Sequence, residues 1–562
     1  MILGRRYVIA LAATLLAASA PALAQIPTSE LPGRERERYQ QPPPALAQPG
    51  GPPITLPGTV APPGADRITL VLRGVRTVGG TIYRSEELAP LYQELVGHAI
   101  TLSAVYDIAA RITAKYGADG YVLSRAIVPP QELTPGGATV TIQIVEGYVD
   151  RVEWPASLSK YRDFFADYTA KIIADRPTNI RTLERYLLLA GDLPGLKFKN
   201  SLKASATQQG AATLVVEVVE KPIDVLGRAD NRGTKARGPY QFSTSTTVNN
   251  LLRIHEAFTA TYAGAFDLSE LQYMAASYRQ MLNSEGLTFF ASAINSHGKP
   301  GTPELRLLDY KTRSNVFEGG VSYPFIRLRE KNLIVSGLFF ASDDRSDILG
   351  ALYTHDKLRG VRVKVDADLA EPSGAINQLN VVASQGIKGL GSSENGDVLS
   401  TANGRVDFTK IQATYTRTQP LFERLSMLVA AHGQYAANPL LSPELCGYGG
   451  RAFGRAFDPS QLVGDQCVEV LGELRFDLPH SIKQMTQAQL YAYADRGWLH
   501  NLAPVAGTPV NLDAASVGGG IRLGWQPPFA PYGGFSTDLS AAKAIDGPRN
   551  DWRFFFIVTG RL

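Results

Sequence analysis

The fold of this chain is decided by the stretch LSPELCGYGGRAFGRAFDPSQLVGDQCVEVLGELRFDLP at 441–479, followed by AQLYAYADRG at 488–497. A glycine-rich loop that carries Arg455 leads into two segments in which polar and apolar side chains alternate. The first segment carries two opposed sets, the apolar Val468, Val470, Leu474 and Phe476 and the polar Glu469, Glu473, Arg475 and Asp477. Alternation with a period of two predicts a β-strand whose faces meet different surroundings.

The second segment shows the same alternation. Its apolar set is Ala488, Leu490, Ala492 and Ala494, and its polar set is Gln487, Gln489, Tyr491, Tyr493 and Asp495. A soluble β-sandwich also alternates, so two strands leave the fold open. The number of such strands and the way the chain begins must decide between a soluble and a membrane protein.

Alternating segments recur from residue 223 to the end of the chain, separated by Gly, Asn, Asp, Ser and Pro. The sixteen segments lie near 223–234, 240–251, 255–266, 269–282, 286–298, 311–325, 332–344, 358–370, 375–389, 404–419, 423–437, 467–479, 485–498, 515–526, 532–542 and 551–562. In 361–369, apolar side chains face one way and charged ones the other. This pattern predicts a wall between lipid and a wet lumen, and a secreted sandwich array is the rival all-β interpretation. The last segment is rich in aromatic residues, as barrel ends usually are, although it stops at Leu562 and not at the usual Phe.

The first 24 residues predict a signal peptide. Arg5 and Arg6 form a charged start, 8–18 is apolar, and Ala22-Leu23-Ala24 is a cleavage site before Gln25. The apolar run is too short for a membrane anchor, and the Sec route is favoured over the twin-arginine route because the rest of that consensus is missing. No later stretch reaches the roughly 20 apolar residues of a spanning helix. An exported chain of this kind is either soluble or a closed membrane barrel.

Composition narrows the class further. The net charge of +4 over 562 residues gives no reason to expect a nucleic-acid partner. Cys446 and Cys467, the two cysteines of the chain, flank the glycine-rich loop in an oxidising compartment. A disulfide between them is therefore expected, and two unpaired thiols are the alternative.

Residues 25–66 divide into a charged segment, with GRERERYQQ at 33–41, and a linker rich in proline and glycine. Composition alone favours a disordered tail over a short helix. Residues 67–147 and 148–222 then form two copies of one pattern, which reads strand, helix, helix, strand, strand. The copies close on GATVTIQIVEG at 137–147 and GAATLVVEVVEK at 210–221. The two helical faces are predicted from Ala104, Ile108, Ile112 and Lys115 in the first copy and from Leu183, Leu187 and Ala190 in the second.

This repeat resembles the polypeptide-transport-associated (POTRA) domains that precede outer-membrane transporter barrels, and the closing Val-Glu-Gly or Val-Glu-Lys strand carries the resemblance. The role it implies is strand addition, in which a sheet edge pairs with an extended incoming polypeptide. The fold class expected is thus mixed: two small α/β POTRA modules, then a 16-stranded antiparallel transmembrane β-barrel at 223–562, with a long in-folded loop at about 438–466.

The whole arrangement resembles the B-type transporters of two-partner secretion, the hemolysin-activator family of Gram-negative bacteria. In that family the loop carries a V-R-G-[FY] tip after a Gly-Gly pair. Here Gly449-Gly450 precedes the tip Gly454, Arg455, Ala456 and Phe457. Gly454 replaces the usual Val and Ala456 the usual Gly, and an alanine is strained if that position requires a positive φ.

The partner motif of the family, aromatic-x-Asp-x-Gly, falls on Tyr493, Asp495 and Gly497. The resemblance implies that the Arg455 guanidinium pairs with Asp495 on the barrel wall, since guanidinium and carboxylate form a bidentate hydrogen bond. The alternative is that Arg455 is one more basic residue on a solvated loop. The resemblance also implies that the charged segment at 33–41 is a helix plugging the lumen.

The function expected is an outer-membrane pore, monomeric and surrounded by lipid, which recognises an unfolded exported partner protein through its POTRA modules and translocates it. The rivals are a barrel-assembly factor of the same superfamily, a solute porin and a barrel enzyme. The sequence contains no G-x-S-x-G motif and no recognisable histidine motif, so no catalytic residue, cofactor or metal is predicted.

Overall fold

The computed structural model describes residues 26–39, 45–48, 60–134, 136–205, 208–394, 397–504, 508–528, 533–547 and 550–562. The predicted signal peptide and most of the proline-rich linker lie outside these ranges. The segment before the linker has a single turn of α-helix, α1 (Arg36–Tyr39). None of the helices in the described ranges is long and apolar enough to cross a membrane.

The first module is a four-stranded sheet covered by one main helix. Its elements are β1 (Thr69–Val78), α2 (Ser85–Leu88), β2 (Ala99–Thr101), α3 (Leu102–Ala118), β3 (Arg125–Ile127) and β4 (Ala138–Val145), with the strand order β2-β1-β4-β3. Helix α3 begins where the Thr101 hydroxyl accepts the Ala104 N–H at 3.2 Å. Its buried face is Val105, Ile108, Ala109, Ile112 and Tyr116. The buried face differs slightly from the predicted one: Ile108 and Ile112 are buried as predicted, whereas Ala104 and Lys115 are only half-buried.

The second module follows after two residues. Its elements are β5 (Tyr148–Glu153), α4 (Phe165–Ala174), α5 (Ile180–Gly191), β6 (Leu196–Ala204) and β7 (Ala211–Glu220), with the strand order β5-β7-β6. Asn179 caps α5 by accepting the Arg181 N–H at 3.0 Å, and its amide donates to Asp119 O of the first module at 3.2 Å. One side chain thus begins a helix and joins the two modules.

Sixteen antiparallel strands form a closed barrel. They are β8 (Ile223–Asp230), β9 (Gln241–Asn249), β10 (Glu256–Ala265), β11 (Gln272–Met281), β12 (Thr288–Gly298), β13 (Lys311–Arg327), β14 (Lys331–Ile348), β15 (Ala351–Ala370), β16 (Ile376–Gly386), β17 (Thr409–Pro420), β18 (Leu425–Ala436), β21 (Gln466–Asp477), β22 (Met485–His500), β23 (Asn511–Trp525), β24 (Gly534–Asp546) and β25 (Trp552–Arg561). Two short strands, β19 (Cys446–Tyr448) and β20 (Leu462–Gly464), lie in the loop between β18 and β21, and α6 (Pro303–Leu307) lies between β12 and β13. The predicted fold class is confirmed.

The barrel closes where β25 meets β8, and this junction has five paired positions against eighteen between β14 and β15. The Asn231 side chain extends the junction: its amide donates to Phe554 O at 2.9 Å and its carbonyl accepts the Phe556 N–H at 2.8 Å. Outward side chains of β15 such as Val361 and Val363 are exposed, as expected of a lipid-facing wall.

The second module sits against one end of the barrel. Lys221 and Pro222 are the two residues between β7 and β8. The Arg327 guanidinium forms a bidentate pair with Asp192 at 2.7 Å, and Arg185 pairs with Glu285 at 3.2 Å. These contacts place the end of α5 directly on two turns of the barrel.

Candidate functional site: the loop and the N-terminal segment inside the barrel

The loop between β18 and β21 is folded into the barrel as a hairpin. Strand β19 pairs with β20, and the side chains of Tyr448, Phe457 and Ser460 around its tip are fully buried. Cys446 at the start of β19 and Cys467 on β21 form a disulfide with a Cα–Cα distance of 6.2 Å. The base of the loop is therefore tied covalently to the barrel wall.

Glycines make the tip of the loop. Gly449, Gly450 and Gly454 have φ values of +125°, +116° and +65°, which favour glycine. A Cβ on Gly454 would lie 2.7 Å from the Gly449 nitrogen. Ala456 is not among the described residues with positive φ, so the alanine that departs from the family pattern carries no such strain.

The guanidinium of Arg455 does not pair with Asp495, and this part of the expectation is wrong. It forms an ion pair with Glu473 on β21 and lies 4.6 Å from the centre of the Tyr493 ring. The main-chain N–H of Arg455 donates to Asp495 Oδ2 at 3.3 Å. The tip lies deep enough beside β21 for the long side chain to reach the next inward acid, while its backbone stays beside Asp495.

Asp495 is saturated by neutral donors. Its Oδ1 accepts the Tyr448 hydroxyl at 2.6 Å and the Ser516 hydroxyl at 2.7 Å, and its side chain is buried. Gly497, two residues along β22, faces the Tyr448 ring so closely that a Cβ there would overlap it. The three positions of the motif thus have separate roles: Tyr493 stacks on Arg455, Asp495 accepts hydrogen bonds from the loop, and Gly497 leaves room for Tyr448.

Glu473 is the ionic centre of the site. Its carboxylate is 1% exposed and contacts Arg455, Arg475 at 2.7 Å and Arg522 at 2.8 Å. A carboxylate held by several guanidinium groups takes charge-assisted hydrogen bonds on both oxygens. Sequence reasoning placed Glu473 on the lumen face but missed this role. Its signal was a lumen-facing acid on a strand where Arg475 also faces the lumen.

A second acid, near the base of the loop, is held by strands on the other side of β18. Glu444, itself buried, pairs with Lys410 of β17 at 2.8 Å and with Arg362 of β15 at 2.5 Å. Arg362 also pairs with Glu318 of β13 at 3.0 Å. The loop is therefore attached to the barrel on two sides.

The N-terminal segment 26–39 lies against this loop. The Thr28 hydroxyl donates to Gln461 O at 2.8 Å, and the buried Arg34 guanidinium donates to Leu445 O at 2.7 Å and to Ser460 Oγ at 3.0 Å. Within this segment, α1 is the one turn of α-helix, and Thr28–Glu30 form a short 3-10 helix. The plug is therefore mainly an irregular chain, and the expected helix is limited to one turn.

A buried ion triad fixes the segment to the barrel. Arg237, in the connection between β8 and β9, pairs with Glu30 at 2.8 Å and with Glu35 at 2.9 Å, and the three side chains are at most 3% exposed. Residues 45–48 lie at the other end of the barrel, where the Leu46 N–H donates to Asp368 at 2.9 Å and the Gln48 N–H to Arg329 O at 2.9 Å. The segment 26–39 is therefore held beside the loop, and residues 45–48 lie at the end of the barrel that carries the modules.

One group of side chains has metal-ligand character. The ligand atoms of His432, Cys446 and Cys467 lie within 4.8 Å of one another. Both sulfurs are bonded in the disulfide, so neither is the thiolate that a metal requires.

What the arrangement can do follows from these contacts. Two segments of the chain occupy the lumen. They are held by the disulfide, by hydrogen bonds and ion pairs, and by the packing of apolar loop side chains such as Tyr448, Phe457 and Leu462 against the barrel wall. The polar contacts can be exchanged for hydrogen bonds to water, and moving the loop also exposes the apolar side chains that it packs against the wall. The site suits a passage that is closed at rest and can be rearranged.

Two models of known protein families match parts of this sequence. The family model described as "Haemolysin secretion/activation protein ShlB/FhaC/HecB" matches residues 210–523, more than half of the chain. The model of the "POTRA domain, ShlB-type" matches residues 70–147.

Individual transporters are also similar to this chain. The chain is 28% identical over 169 residues to the heme/hemopexin transporter protein HuxB of Haemophilus influenzae, a match covering 30% of this chain and 29% of the relative. It is 20% identical over 497 residues to the outer membrane transporter CdiB of Escherichia coli, covering 83% of this chain and 78% of the relative. The solved structure of CdiB from Escherichia coli superposes with a TM-score of 0.69 at 17% identity, covering 91% of this chain and 94% of that chain, which shows a common fold.

Proposed function

Because the chain belongs to the ShlB/FhaC/HecB family of haemolysin secretion/activation proteins, we propose that it captures an unfolded exported protein on its modules and passes it through the barrel to the cell surface or the medium. It is an outer-membrane β-barrel of the two-partner secretion transporters, with its POTRA domains in the periplasm. We further propose that the modules capture the partner, that the partner passes through the lumen, and that the Arg455–Glu473 ion pair is a lock that keeps the loop in the lumen at rest. For its tests we propose domain limits of 67–147, 148–222 and 223–562.

The observation that carries the proposal is the lumen itself. A solute porin needs an open lumen, whereas here the loop and the N-terminal segment lie in it, held at Glu473, Glu444 and Arg237. Periplasmic modules are also of no use to a passive pore. A closed passage joined to binding modules suits a transporter that opens only for its partner.

We assign capture to the free edge of β6 in the second module. Within the described residues, β6 pairs along one side with β7 and is an edge strand of its sheet. Its Lys197, Lys199 and Lys203 are exposed, whereas Phe198 and Leu202 pack against the core of the module. An edge strand can hydrogen-bond an extended polypeptide through its main chain. The lysine row fits a partner segment with acidic side chains at alternate positions.

The edge also leads toward the barrel. Lys197 lines a cavity of about 550 Å³ together with Leu226 of β8, Trp525 of β23 and Arg561 of β25. A polypeptide added to β6 would therefore end beside the periplasmic ends of the barrel strands. Folding of the partner outside the cell would give the direction, since the periplasm supplies no nucleotide.

Secretion of the exported protein encoded at the same locus tests the proposal. Two variants are compared with the wild type: Glu473→Gln, which removes the charge that holds Arg455, and the triple change of Lys197, Lys199 and Lys203 to Glu. Both are expected to lower secretion at least tenfold with barrels still assembled, as followed by heat-modifiable migration. The triple change of the same lysines to Arg keeps the charge and is expected to secrete normally.

The two changes separate the parts of the proposal. Normal secretion with the reversed lysines would remove β6 as the capture edge and leave the lock in place. Normal secretion with Glu473→Gln would remove the lock. If both variants secreted normally while other outer-membrane barrels failed to assemble in a deletion strain, an assembly factor would replace the transporter.

A further inference from the structure

A buried histidine joins the second module to the barrel. His255 ends the periplasmic turn between β9 and β10, and its side chain is 0% exposed. Its ring lies 4.8 Å from the ring of Phe164 and about 6 Å from those of Tyr161 and Phe165, all in the module. The barrel thus places a titratable ring in an aromatic cage of the neighbouring domain.

Geometry fixes the tautomer of this ring. His255 Nε2 lies 2.7 Å from Arg162 O, and a carbonyl oxygen can only accept, so Nε2 carries the hydrogen. The other nitrogen, Nδ1, is buried, and no described residue offers it a hydrogen-bond partner. The neutral ring leaves one buried acceptor without a donor, whereas the protonated ring would bury both a positive charge and an N–H without an acceptor, which costs more.

The charged groups around the ring are few. The module contributes Arg162 and the hydroxyl of Tyr161, which donates to Glu220 at 2.6 Å. The turn and β10 contribute Arg253 and Glu256, and Glu256 is already held by the main-chain N–H groups of Leu252 and Ile254. From β11, Gln280 and Met281 lie at this turn and carry no charge.

The balance of these effects favours the neutral ring. Burial lowers the pKa of His255, and the Arg162 charge adds to this, whereas the Arg162 carbonyl and the Glu256 charge oppose it.

The turn around His255 is itself held in an unusual conformation. Asn250, Arg253 and His255 have φ values of +54°, +62° and +65°, which residues other than glycine rarely adopt. The Arg162 N–H donates to Arg253 O at 2.8 Å, so the module braces the turn from outside. Left-handed residues persist where the surrounding structure imposes them, which makes the turn sensitive to loss of the module contact.

We propose that His255 is a pH-sensitive contact that holds the second module on the first barrel turn while neutral and releases it when protonated. A group that binds protons more weakly in the docked state makes docking weaker as the pH falls. The contact is therefore complete above the ordinary histidine pKa of about 6.5. Below it, the equilibrium constant for docking falls by up to tenfold per pH unit. The ion pairs of Arg327 with Asp192 and of Arg185 with Glu285 join the module to other turns of the barrel, so the release proposed here concerns the first turn.

Amide hydrogen exchange on the full chain in detergent tests this inference, which does not depend on the proposed function. Exchange is followed in peptides covering 158–166 and 250–256 at pH 7.5 and at pH 5.5. His255→Gln keeps a donor at the position of Nε2 and cannot be charged, and His255→Phe fills the cage with no charge at all. The ratio of wild-type to variant exchange at each pH cancels the intrinsic pH dependence of exchange.

We expect wild-type exchange in both peptides to be at least fivefold faster than that of His255→Gln at pH 5.5, and the two to be about equal at pH 7.5. His255→Phe should show the same pH-independent behaviour even if its exchange is faster throughout. A wild-type to variant ratio that does not change with pH would overturn the inference and leave His255 a purely structural contact. Peptides around Arg327, which contacts the module at a different turn, serve as the internal control.

Discussion

Arg455 meets Asp495 through its main-chain N–H, at 3.3 Å, while its guanidinium passes on to Glu473. The wall therefore holds the loop tip in two independent ways. Asp495 fixes the position of the backbone, and Glu473 fixes the side chain. Loss of either contact leaves the other in place, so the two acids make different and separable contributions.

Replacing Glu473 with Gln should weaken the site more than replacing Asp495 with Asn. Glu473 balances three guanidinium groups, and removal of a buried partner charge costs roughly 3–5 kcal/mol. Asp495 accepts hydrogen bonds from neutral donors, so replacing it with Asn should lower the free energy of unfolding by about 1–3 kcal/mol. Thermal unfolding in detergent checks the order, and protease cleavage within 449–461 reports loop release. Equal effects of the two changes would contradict separate roles.

Gly497→Ala should displace the loop because its Cβ would overlap the Tyr448 ring. The expected result is protease cleavage of the loop and a destabilisation of about 1–3 kcal/mol from overpacking. Gly472→Ala on the neighbouring strand is the matched control, since a Cβ there meets nothing within 4 Å. Loop cleavage in both variants would point to weakened strands and not to Tyr448.

Replacing both cysteines with serine should loosen the base of the loop. The disulfide closes a separation of 21 residues, and the loop-closure estimate gives roughly 3 kcal/mol of stabilisation. The double variant should unfold at a lower temperature than the oxidised wild type, and reductant should lower the wild type toward it. A reductant effect on the double variant itself would show that another process is being measured.

Arg237→Met should release the N-terminal segment. It leaves Glu30 and Glu35 buried without their cation, at a cost of roughly 3–5 kcal/mol, which is more than a short irregular segment can offset. Conductance in planar bilayers should rise relative to the wild type.

The matched control for this prediction adds Glu30→Gln and Glu35→Gln to Arg237→Met. This combination removes all three charges, so no buried charge is left unpaired. It should retain the segment better than Arg237→Met alone. Equal conductance of Arg237→Met and the wild type would show that the triad does not hold the segment.

The alternation of β21 and β22 was sufficient to place Tyr493 and Asp495 inside the barrel, because that pattern persists wherever one face meets lipid. It could not select the partner of the Arg455 guanidinium. Glu469, Glu473 and Asp495 all face the lumen, and the choice among them depends on how deep the loop descends. That depth follows from the disulfide and from the contacts of Glu444 with β15 and β17, which link distant parts of the chain.

Strand ends were harder to predict than strand existence. The segment predicted near 358–370 belongs to β15, which begins at Ala351. Between 353 and 357 the residues on both faces are polar, so the alternation that marks a lipid-facing wall is absent although the strand continues. The helix expected in the N-terminal segment is limited to α1, since Gly33 has a φ of +85° and Pro42 follows shortly after Tyr39.

Because the link between β7 and β8 has only two residues, a movement of the second module is transmitted directly to the barrel. A torque applied to its sheet by a bound polypeptide reaches β8 with little slack, since Pro222 restricts rotation in the link. β8 is also the strand whose far side is joined to β25 at five positions. Mechanical load from the periplasm therefore arrives first at the shortest strand junction of the wall.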